Sequence, residues 1–150
     1  MILTRVDPFN TSDYLHPNCG GSNKIPVITW SNVPASAKSL ALILHDPDAP
    51  VQGGWIHWIV FNIPPSSLSV FGNQSNLTFP PGTLVSKNSY GNYGYGGPCP
   101  PPGKIHHYNL GLYALDTTFP AMLQEDPSEL MRQIQRHAIE KTGATKVYSR

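Results

Sequence analysis

Hydrophobic residues along the chain fall mostly into short runs that are separated by proline, glycine and small polar residues. Short apolar runs bounded by turn residues are typical of β-strands. The pattern predicts strands over residues 26–30, 39–45, 55–61, 83–86, 106–115 and 144–148. Several of these runs are apolar on both faces, which favours a central sheet that is covered on both sides.

The hydrophobic spacing becomes helical near the C-terminus. Apolar residues recur at every fourth position at Leu130, Ile134 and Ala138, as they do on one face of an α-helix. Asp126 suits the N-cap and Pro127 the first helical position, while Gly143 is a typical C-terminal stop. The sequence therefore predicts one α-helix over about 127–141.

A chain of 150 residues with sixteen prolines and thirteen glycines suits one domain with many turns. The sequence contains no internal repeat and no boundary signal, so we expect a single domain over 1–150. The predicted fold class is mainly β, an antiparallel β-sandwich packed against the C-terminal helix.

Charge and hydropathy narrow the range of partners. Charged residues make up 13% of the chain and the formal net charge is +1, so no basic surface for nucleic acid is predicted. No apolar run approaches the ~20 residues of a membrane-spanning helix, and the first residues lack the apolar stretch of a signal peptide. These features predict a cytoplasmic protein without an integral membrane segment.

Polar side chains stand near the ends of three predicted strands. Successive side chains alternate between the two faces of a strand, which gives three predicted faces: Asp46 with Leu40, Leu42 and Leu44; His57 with Trp55, Ile59 and Phe61; His106 with Tyr108, Leu110 and Leu112. If the three strands are neighbours with aligned ends, Asp46, His57, His106 and Tyr108 meet at one rim of the sheet.

Each of these residues also has a purely structural explanation. A lone histidine on an apolar strand is commonly a hydrogen-bonded core residue, and Asp46 before Pro47 can accept a turn hydrogen bond from its own backbone. Asp48, in the same turn at 46–50 (DPDAP), suits a turn cap better than a ligand contact. What favours a site is the coincidence of several such residues at strand ends.

A glycine- and proline-rich loop spans 93–103 (YGYGGPCPPPG). Glycine lets the backbone approach a ligand, and free N–H groups in a tight loop can cradle an anion. Proline donates no hydrogen bond but stiffens the loop. The glycine spacing is not that of a dinucleotide-binding loop, so either an anion cradle or a rigid connection explains the segment.

Enzyme chemistry is an alternative to binding. Asp46, His57 and His106 are residue types of a facial metal triad, although no H-x-H or H-x-x-x-H spacing supports a metal. No G-x-S-x-G element indicates a serine nucleophile. We therefore predict no catalytic residue, no metal ligand and no cofactor, and keep a metal-dependent or phosphoryl-compound hydrolase as the alternative.

The two cysteines, Cys19 and Cys99, lie in separate glycine-rich segments. Neither belongs to a C-x-x-C motif, which excludes a zinc ribbon or a thioredoxin site. Two buried free thiols are the cytosolic expectation, and a Cys19–Cys99 disulfide is the competing hypothesis.

Three motifs in this order resemble the phosphatidylethanolamine-binding protein (PEBP) family, in its compact prokaryotic, YbhB/YbcL-like form. They are D-P-D-x-P at 46–50, W-x-H with a following apolar residue at 55–58, and G-P-x-P leading to H-R-Y at 97–108. The resemblance covers nearly the whole chain. One departure is His107, which stands where the family has arginine. Because His107 faces away from the predicted rim, the departure concerns a supporting salt bridge more than the site.

The resemblance implies a large central antiparallel sheet, a smaller sheet, and a pocket for phosphate or a phosphoryl headgroup. The anion-binding residues it implies are Asp46, His57, Gly97 through its backbone, His106 and Tyr108; the wall or turn residues are Asp48, Pro50, Trp55 and Pro98. It also implies a cis bond between Ala49 and Pro50. The residue types agree with an anion site, since imidazoles donate N–H groups to phosphate oxygens and Asp46 favours a protonated histidine.

The function implied by the resemblance is that of a non-enzymatic regulatory binding protein. The expected partners are a small anionic ligand and a regulated enzyme, with a serine protease or a carboxypeptidase as the most concrete target. The loops at 66–90 and 90–103 are the candidate inhibitory elements. A homodimer is compatible with the family, but nothing in the sequence identifies an interface.

Overall fold

The structure, a computed structural model, describes all residues of the chain, 1–150. The strands are β1 (Ile2–Val6), β2 (Ile28–Ser31), β3 (Ser39–Asp46), β4 (Trp55–Ile63), β5 (Leu84–Val85), β6 (Ile105–Leu115) and β7 (Ala138–Ser149). One α-helix, α1, spans Pro127–Arg136, and short 3-10 turns lie at Pro17–Cys19 and Ala121–Glu125. None of the helices combines the length and the apolar character needed to cross a membrane.

All strand pairs are antiparallel. β1 and β2 form a small sheet, and the other five strands form a large one in the order β5-β4-β3-β6-β7. This confirms the mainly β fold with a large and a small sheet. Because β3 lies between β4 and β6, its last residue, Asp46, ends beside the strands that carry His57 and His106.

The large sheet is buried on both faces. On one face, nineteen buried residues join it to the small sheet, with Trp30 and Leu42 among them. On the other face, nine buried residues lie under α1, including Ile43 and Ile134. β3 therefore carries an almost unbroken run of buried residues, since a core covers it on each side.

The helix begins as predicted but ends earlier. The Asp126 carboxylate accepts the N–H of Glu129 at 3.1 Å, as an N-cap does. The helix ends at Arg136 rather than near 141, and the chain continues as β7 over Ala138–Ser149. Pairing with β6 along the whole of β7 satisfies the backbone of a segment whose Ile139, Thr142, Thr145, Val147 and Tyr148 favour a strand. Gly143 is thus a strand residue and not a helix stop.

The first strand, β1, was not predicted from the hydrophobic pattern. Its residues alternate only weakly between exposed and half-buried positions. Its pairing with β2 also contains a register shift, between Leu3 and Arg5. A short strand of this kind forms because its partner exists elsewhere in the fold, which a local pattern does not reveal.

A β-bulge in β4 sets the orientation of His57. Leu44 pairs with Trp58, whereas the next residue of β3, His45, pairs with Ile56. His57 is therefore an extra residue between two paired positions, which is what a bulge is.

The bulge turns His57 to the face opposite to the predicted one. Simple alternation groups His57 with Ile59 and Phe61, which lie in the core under α1. In the structure the His57 ring instead meets that of Tyr108, with 5.4 Å between ring centroids, and Tyr108 belongs to the other core. The predicted face of His57 is wrong, and the bulge is what brings this residue to the face of His106.

Candidate functional site

A cavity of about 160 Å³ opens at the rim where β3 ends and where β4 and β6 begin. Strand ends, the β3–β4 turn and two loop segments supply its lining: Asp46, Ala49, Pro50, Trp55, His57, Tyr90, Cys99, Pro100, Pro101, His106 and Tyr108. The volume is below the roughly 300–1,000 Å³ of pockets for drug-sized molecules. The cavity therefore suits a small ligand or the head of a larger one.

Asp46 is buried and accepts two hydrogen bonds. Its Oδ1 accepts the N–H of Asp48 at 2.8 Å, which is the turn bond expected of an aspartate before proline. Its Oδ2 lies 2.5 Å from Nδ1 of His106. Asp46 therefore both stabilises the turn and lines the cavity.

His106 is oriented by this contact. An ionised carboxylate only accepts hydrogen bonds, so Nδ1 of His106 carries the hydrogen that Asp46 receives. The other ring nitrogen, Nε2, has no hydrogen bond to the protein, while the ring lines the cavity. Asp46 thus fixes which nitrogen of His106 is available to a ligand.

His57 is held in a different way. It is 2% exposed, and its Nδ1 lies 2.7 Å from the carbonyl oxygen of Gly96, so Nδ1 donates. Burial lowers the pKa of His57 to about 4, although the Gly96 carbonyl and Asp46 act in the opposite direction. His57 is therefore uncharged at neutral pH. The expectation that both imidazoles donate to an anion does not hold for this residue.

Two buried donors of the lining have no hydrogen-bond partner in the protein, Nε1 of Trp55 and the hydroxyl of Tyr108. Burial, and after it the nearby Asp46 carboxylate, raises the pKa of Tyr108, so the hydroxyl keeps its proton. Buried polar groups are nearly always paired, and an indole N–H can only donate. These two groups therefore suit acceptor atoms of a ligand.

Tyr90 is a lining residue that the sequence analysis missed. Its ring meets Trp55 and His57 edge-on, with centroids 5.3 and 5.8 Å apart, and stacks on His16 at 4.1 Å. Its hydroxyl donates to the carbonyl of Gly97 at 2.8 Å. The one available signal was an aromatic residue directly before the glycine-rich loop, and that signal does not show that the ring folds over the cavity.

Gly97 and Pro98 lie outside the lining of the cavity. The N–H of Gly97 donates to Oδ1 of Asn23 at 2.8 Å. A Cβ atom at this position would lie 2.0 Å from the carbonyl oxygen of Tyr14, so close packing explains the glycine. The N–H group that was expected to bind an anion is thus already paired.

A disulfide fixes the loop that follows Gly97. Cys19 and Cys99 are bonded, with 5.5 Å between their Cα atoms, which confirms the disulfide hypothesis over that of two free thiols. Cys99 itself lines the cavity, together with Pro100 and Pro101. This wall is therefore attached covalently to the 3-10 turn that ends at Cys19.

Asp48 lies outside the cavity and pairs with His107. Its Oδ2 accepts the backbone N–H of His107 at 2.7 Å and lies 2.8 Å from Nδ1 of the same residue. These two bonds lower the pKa of Asp48. His107 is exposed and points away from the cavity, as predicted. A histidine–carboxylate pair thus stands where the resemblance led us to expect an arginine.

Ala49 and Pro50 line the cavity, but the bond between them is trans, because the chain contains no cis peptide bond. The expected cis Ala49–Pro50 bond is therefore wrong. The turn closes without it, since the N–H of Val51 donates to the carbonyl of Ala49 at 2.8 Å. Gly54 then adopts a φ of 74°, which glycine tolerates.

A larger, open groove of about 440 Å³ lies on the other side of the sheet, between β7 and α1. Three of its polar side chains, those of His45, Asn109 and Thr145, already have partners. The hydroxyl of Thr145 donates to Asn109 at 2.8 Å, and Nε2 of His45 lies 2.7 Å from the carbonyl of Gly53. The rim cavity, with unpaired donors and two histidines, is therefore the better candidate despite its smaller volume.

Comparisons with known proteins decide the family. A family model described as phosphatidylethanolamine-binding protein matches residues 6–149. The chain belongs to the PEBP family. The three motifs on which the resemblance was based, at 46–50, 55–58 and 97–108, supply most of the cavity lining in this PEBP-family chain.

Relatives of the PEBP-family chain come from bacteria and archaea. A UPF0098 protein of Methanothermobacter thermautotrophicus is 46% identical over 117 residues, which cover 75% of this chain and 76% of that protein. The UPF0098 protein YbcL of Escherichia coli is 43% identical over 103 residues, 66% of this chain and 56% of its own length. A Mycobacterium tuberculosis relative named "Putative lipoprotein LppC" is 46% identical over 111 residues, 73% of this chain and 50% of that protein.

Solved structures show the same PEBP fold. The crystal structure of E. coli YbcL, described as a new member of the mammalian PEBP family, matches with a TM-score of 0.88 and 31% identity, and covers 99% of this chain and 98% of YbcL. The PEBP homolog CT736 of Chlamydia trachomatis matches with a TM-score of 0.70 and 31% identity, over 93% and 88% of the two chains.

Proposed function

We propose that this PEBP-family protein is a non-enzymatic binding module that holds a phosphate-like oxyanion, free or as part of a phosphoryl headgroup, in the rim cavity. One observation carries the proposal. Trp55 and Tyr108 both line this small cavity, and each carries a buried donor without a protein partner. An oxyanion brings several acceptor oxygens into one small volume, so it satisfies both donors at once.

The hydrolase alternative uses the same residues and is less well supported. A metal at Asp46 would have to displace the N–H of Asp48 and the His106 ring, which occupy both carboxylate oxygens. A thiol mechanism is excluded at Cys99, because its sulfur is bonded to Cys19. Hydrolysis of p-nitrophenyl phosphate by the purified protein, dependent on His57 and on an added divalent metal, would favour the alternative.

Calorimetric titration with inorganic phosphate tests the binding proposal. The native protein should bind one phosphate per chain, and Trp55→Phe should weaken binding about tenfold or more, since a hydrogen bond to a charged group contributes about 1.5–3 kcal/mol. Asp48→Asn, which changes a side chain outside the lining, is the control. The absence of phosphate binding by the native protein at millimolar concentration would contradict the proposal.

Inhibition of a serine protease or a carboxypeptidase is the finer form of the proposed function. The structure favours the first candidate loop over the second. The second loop is exposed only at 91–93 and 101–103, is buried at 96–98 and is held by the disulfide, whereas residues 72–76 of the first loop form one longer exposed stretch. Assays with a panel of proteases at micromolar protein check this prediction, and a lack of inhibition removes it without affecting the cavity.

The disulfide changes the expected compartment. The sequence alone favours the cytoplasm, but disulfides persist mainly in oxidising compartments, or inside the cells of hyperthermophiles. The relative LppC is named as a lipoprotein, which agrees with an oxidising compartment. We therefore propose that the protein works where Cys19 and Cys99 stay oxidised. Alkylation of free thiols in intact cells, followed by mass spectrometry, tests this; alkylated Cys19 and Cys99 would contradict it.

A further inference from the structure

We propose that the cavity selects oxyanions that carry a proton, and that His57 is the specificity-determining residue because its free ring nitrogen accepts that proton. The inference rests on the proposed function and deepens it. It names the preferred ligand class as a protonated phosphate or phosphate monoester, as opposed to sulfate, which carries no proton at neutral pH.

The argument starts from the Gly96 carbonyl. Nδ1 of His57 lies 2.7 Å from this oxygen, which can only accept, so Nδ1 holds the hydrogen of the neutral ring. Nε2 then carries a lone pair. The ring lines the cavity, and Nε2 makes no hydrogen bond within the protein. A ligand at this position must therefore donate a hydrogen bond to His57 if the ring is neutral.

The remaining groups around the cavity strengthen this requirement. Trp55 and Tyr108 supply donors, but neither lysine nor arginine is part of the lining, and Asp46 adds a negative charge. An oxyanion without a proton would place an oxygen lone pair against the lone pair of His57. A ligand with one P–O–H group donates a hydrogen bond to Nε2 of His57. Its other oxygens accept hydrogen bonds from Trp55 and Tyr108.

Protonation of His57 from solvent is the costly alternative. Burial lowers its pKa to about 4, so at pH 7 about one molecule in a thousand carries the proton. The titratable groups near the ring are Asp46, His106, Tyr90 and Tyr108 around the cavity and His45 on the neighbouring strand. A phosphate monoester has a second pKa near 6 and brings its own proton, whereas sulfate depends on the rare protonated ring.

His106 is held by a different partner. Its Nδ1 donates to a carboxylate, Oδ2 of Asp46, whereas the corresponding atom of His57 donates to a neutral carbonyl. His57 is the histidine whose ring is both fixed by a neutral acceptor and kept uncharged by burial, so the acceptance of the ligand's hydrogen is assigned to it.

The test compares inorganic phosphate with sulfate by calorimetric titration of the full, disulfide-bonded chain at constant ionic strength. At pH 7, phosphate should bind at least tenfold more tightly. The affinity for sulfate should rise about tenfold per pH unit between pH 7 and 5, because one proton must be taken up. Titrations in buffers of different ionisation enthalpy should show about one proton taken up with sulfate and fewer with phosphate at pH 6.

His57→Asn is the matched variant. The asparagine Nδ2 group can replace Nδ1 at the Gly96 carbonyl, whereas its acceptor, Oδ1, does not reach the position of Nε2. The preference for phosphate should fall to less than about threefold.

A preference that survives in this variant overturns the role of His57. Equal affinities of the native protein for both anions overturn the selection of protonated ligands and leave the proposed function intact. Binding of neither anion overturns the proposed function itself. The proton-uptake measurement on the native protein decides the case if the variant does not fold.

Discussion

Nδ1 of His106 lies 2.5 Å from Oδ2 of Asp46, and both side chains are buried. A second histidine–aspartate pair lies at the surface, where Nδ1 of His107 is 2.8 Å from Oδ2 of Asp48. Exposed pairs contribute little to stability, whereas a buried polar group that loses its hydrogen-bond partner costs about 1–3 kcal/mol. The two neighbouring pairs therefore separate the effect of burial from that of residue type.

Asp46→Ala should lower the free energy of unfolding by about 2–3 kcal/mol, because it leaves the buried Nδ1–H group of His106 without an acceptor. The turn bond to the N–H of Asp48 is lost as well. Asp48→Ala removes the exposed pair and should cause a much smaller loss. Urea denaturation of the two variants measures the difference. Equal losses would show that burial does not set the contribution of Asp46.

Tyr108→Phe should stabilise the ligand-free protein by about 1 kcal/mol, since an unpaired buried hydroxyl costs roughly 1–3 kcal/mol. The same change should weaken phosphate binding, because the ligand loses a donor. Tyr95→Phe is the matched control: the hydroxyl of Tyr95 donates to the carbonyl of Tyr14 at 2.7 Å, so its removal should destabilise. Thermal denaturation without phosphate checks both signs. A loss of stability in Tyr108→Phe would mean that this hydroxyl has a partner in solution.

The sequence predicts the strands of the large sheet well because their apolar runs are long and are bounded by turn residues. It fails where pairing between distant segments decides the outcome. The i+4 spacing that continues from Ile134 to Ala138 favours a longer helix, yet pairing with β6 converts the segment from Ala138 onward into β7. Local propensity is weaker than a complete set of strand hydrogen bonds.

The site was predictable to the extent that strand ends and motif order place Asp46, His57 and His106 together. The orientation of His57 was not predictable, because a β-bulge depends on the pairing between two strands and cannot be recognised in the sequence of either strand alone. Tyr90 was missed for a similar reason, since its contacts with His57 and Trp55 depend on the path of a long loop.

The stability of the ligand-free protein should fall in mild acid because of His57. Burial lowers its pKa from 6.5 to about 4, so the unfolded chain binds a proton that the folded chain does not. The contribution of neutral His57 to the free energy of unfolding is therefore complete above pH 6.5. It is lost as the pH falls from 6.5 towards 4. The loss from this one group reaches about 3 kcal/mol.

Urea denaturation at several pH values between 7 and 4.5, on the native protein and on His57→Asn, checks this dependence. Asparagine does not titrate, so the variant should lose less stability between pH 6.5 and 5. The carboxylates whose pKa is lowered, such as Glu129 and Asp48, titrate at lower pH and act equally in both proteins. An identical pH slope in the two proteins would contradict the neutral state of His57.

The Cys19–Cys99 bond joins residues that are 80 positions apart. A cross-link over a loop of this length stabilises by roughly 4 kcal/mol through the entropy of the unfolded chain. The double variant Cys19→Ser, Cys99→Ser should therefore unfold at a lower urea concentration. Its phosphate affinity should fall too, because Cys99 is part of the cavity wall.

A dithiol reductant should move the native protein towards the behaviour of the double variant and leave the variant itself unchanged. Titrating phosphate and measuring urea unfolding on the same reduced sample separates the two effects of the bond. A fall in stability with unchanged phosphate affinity would show that the disulfide restricts the unfolded chain but does not shape the cavity. A fall in both is expected, since the loop that carries Cys99, Pro100 and Pro101 is tied through this bond to the turn at Pro17–Cys19.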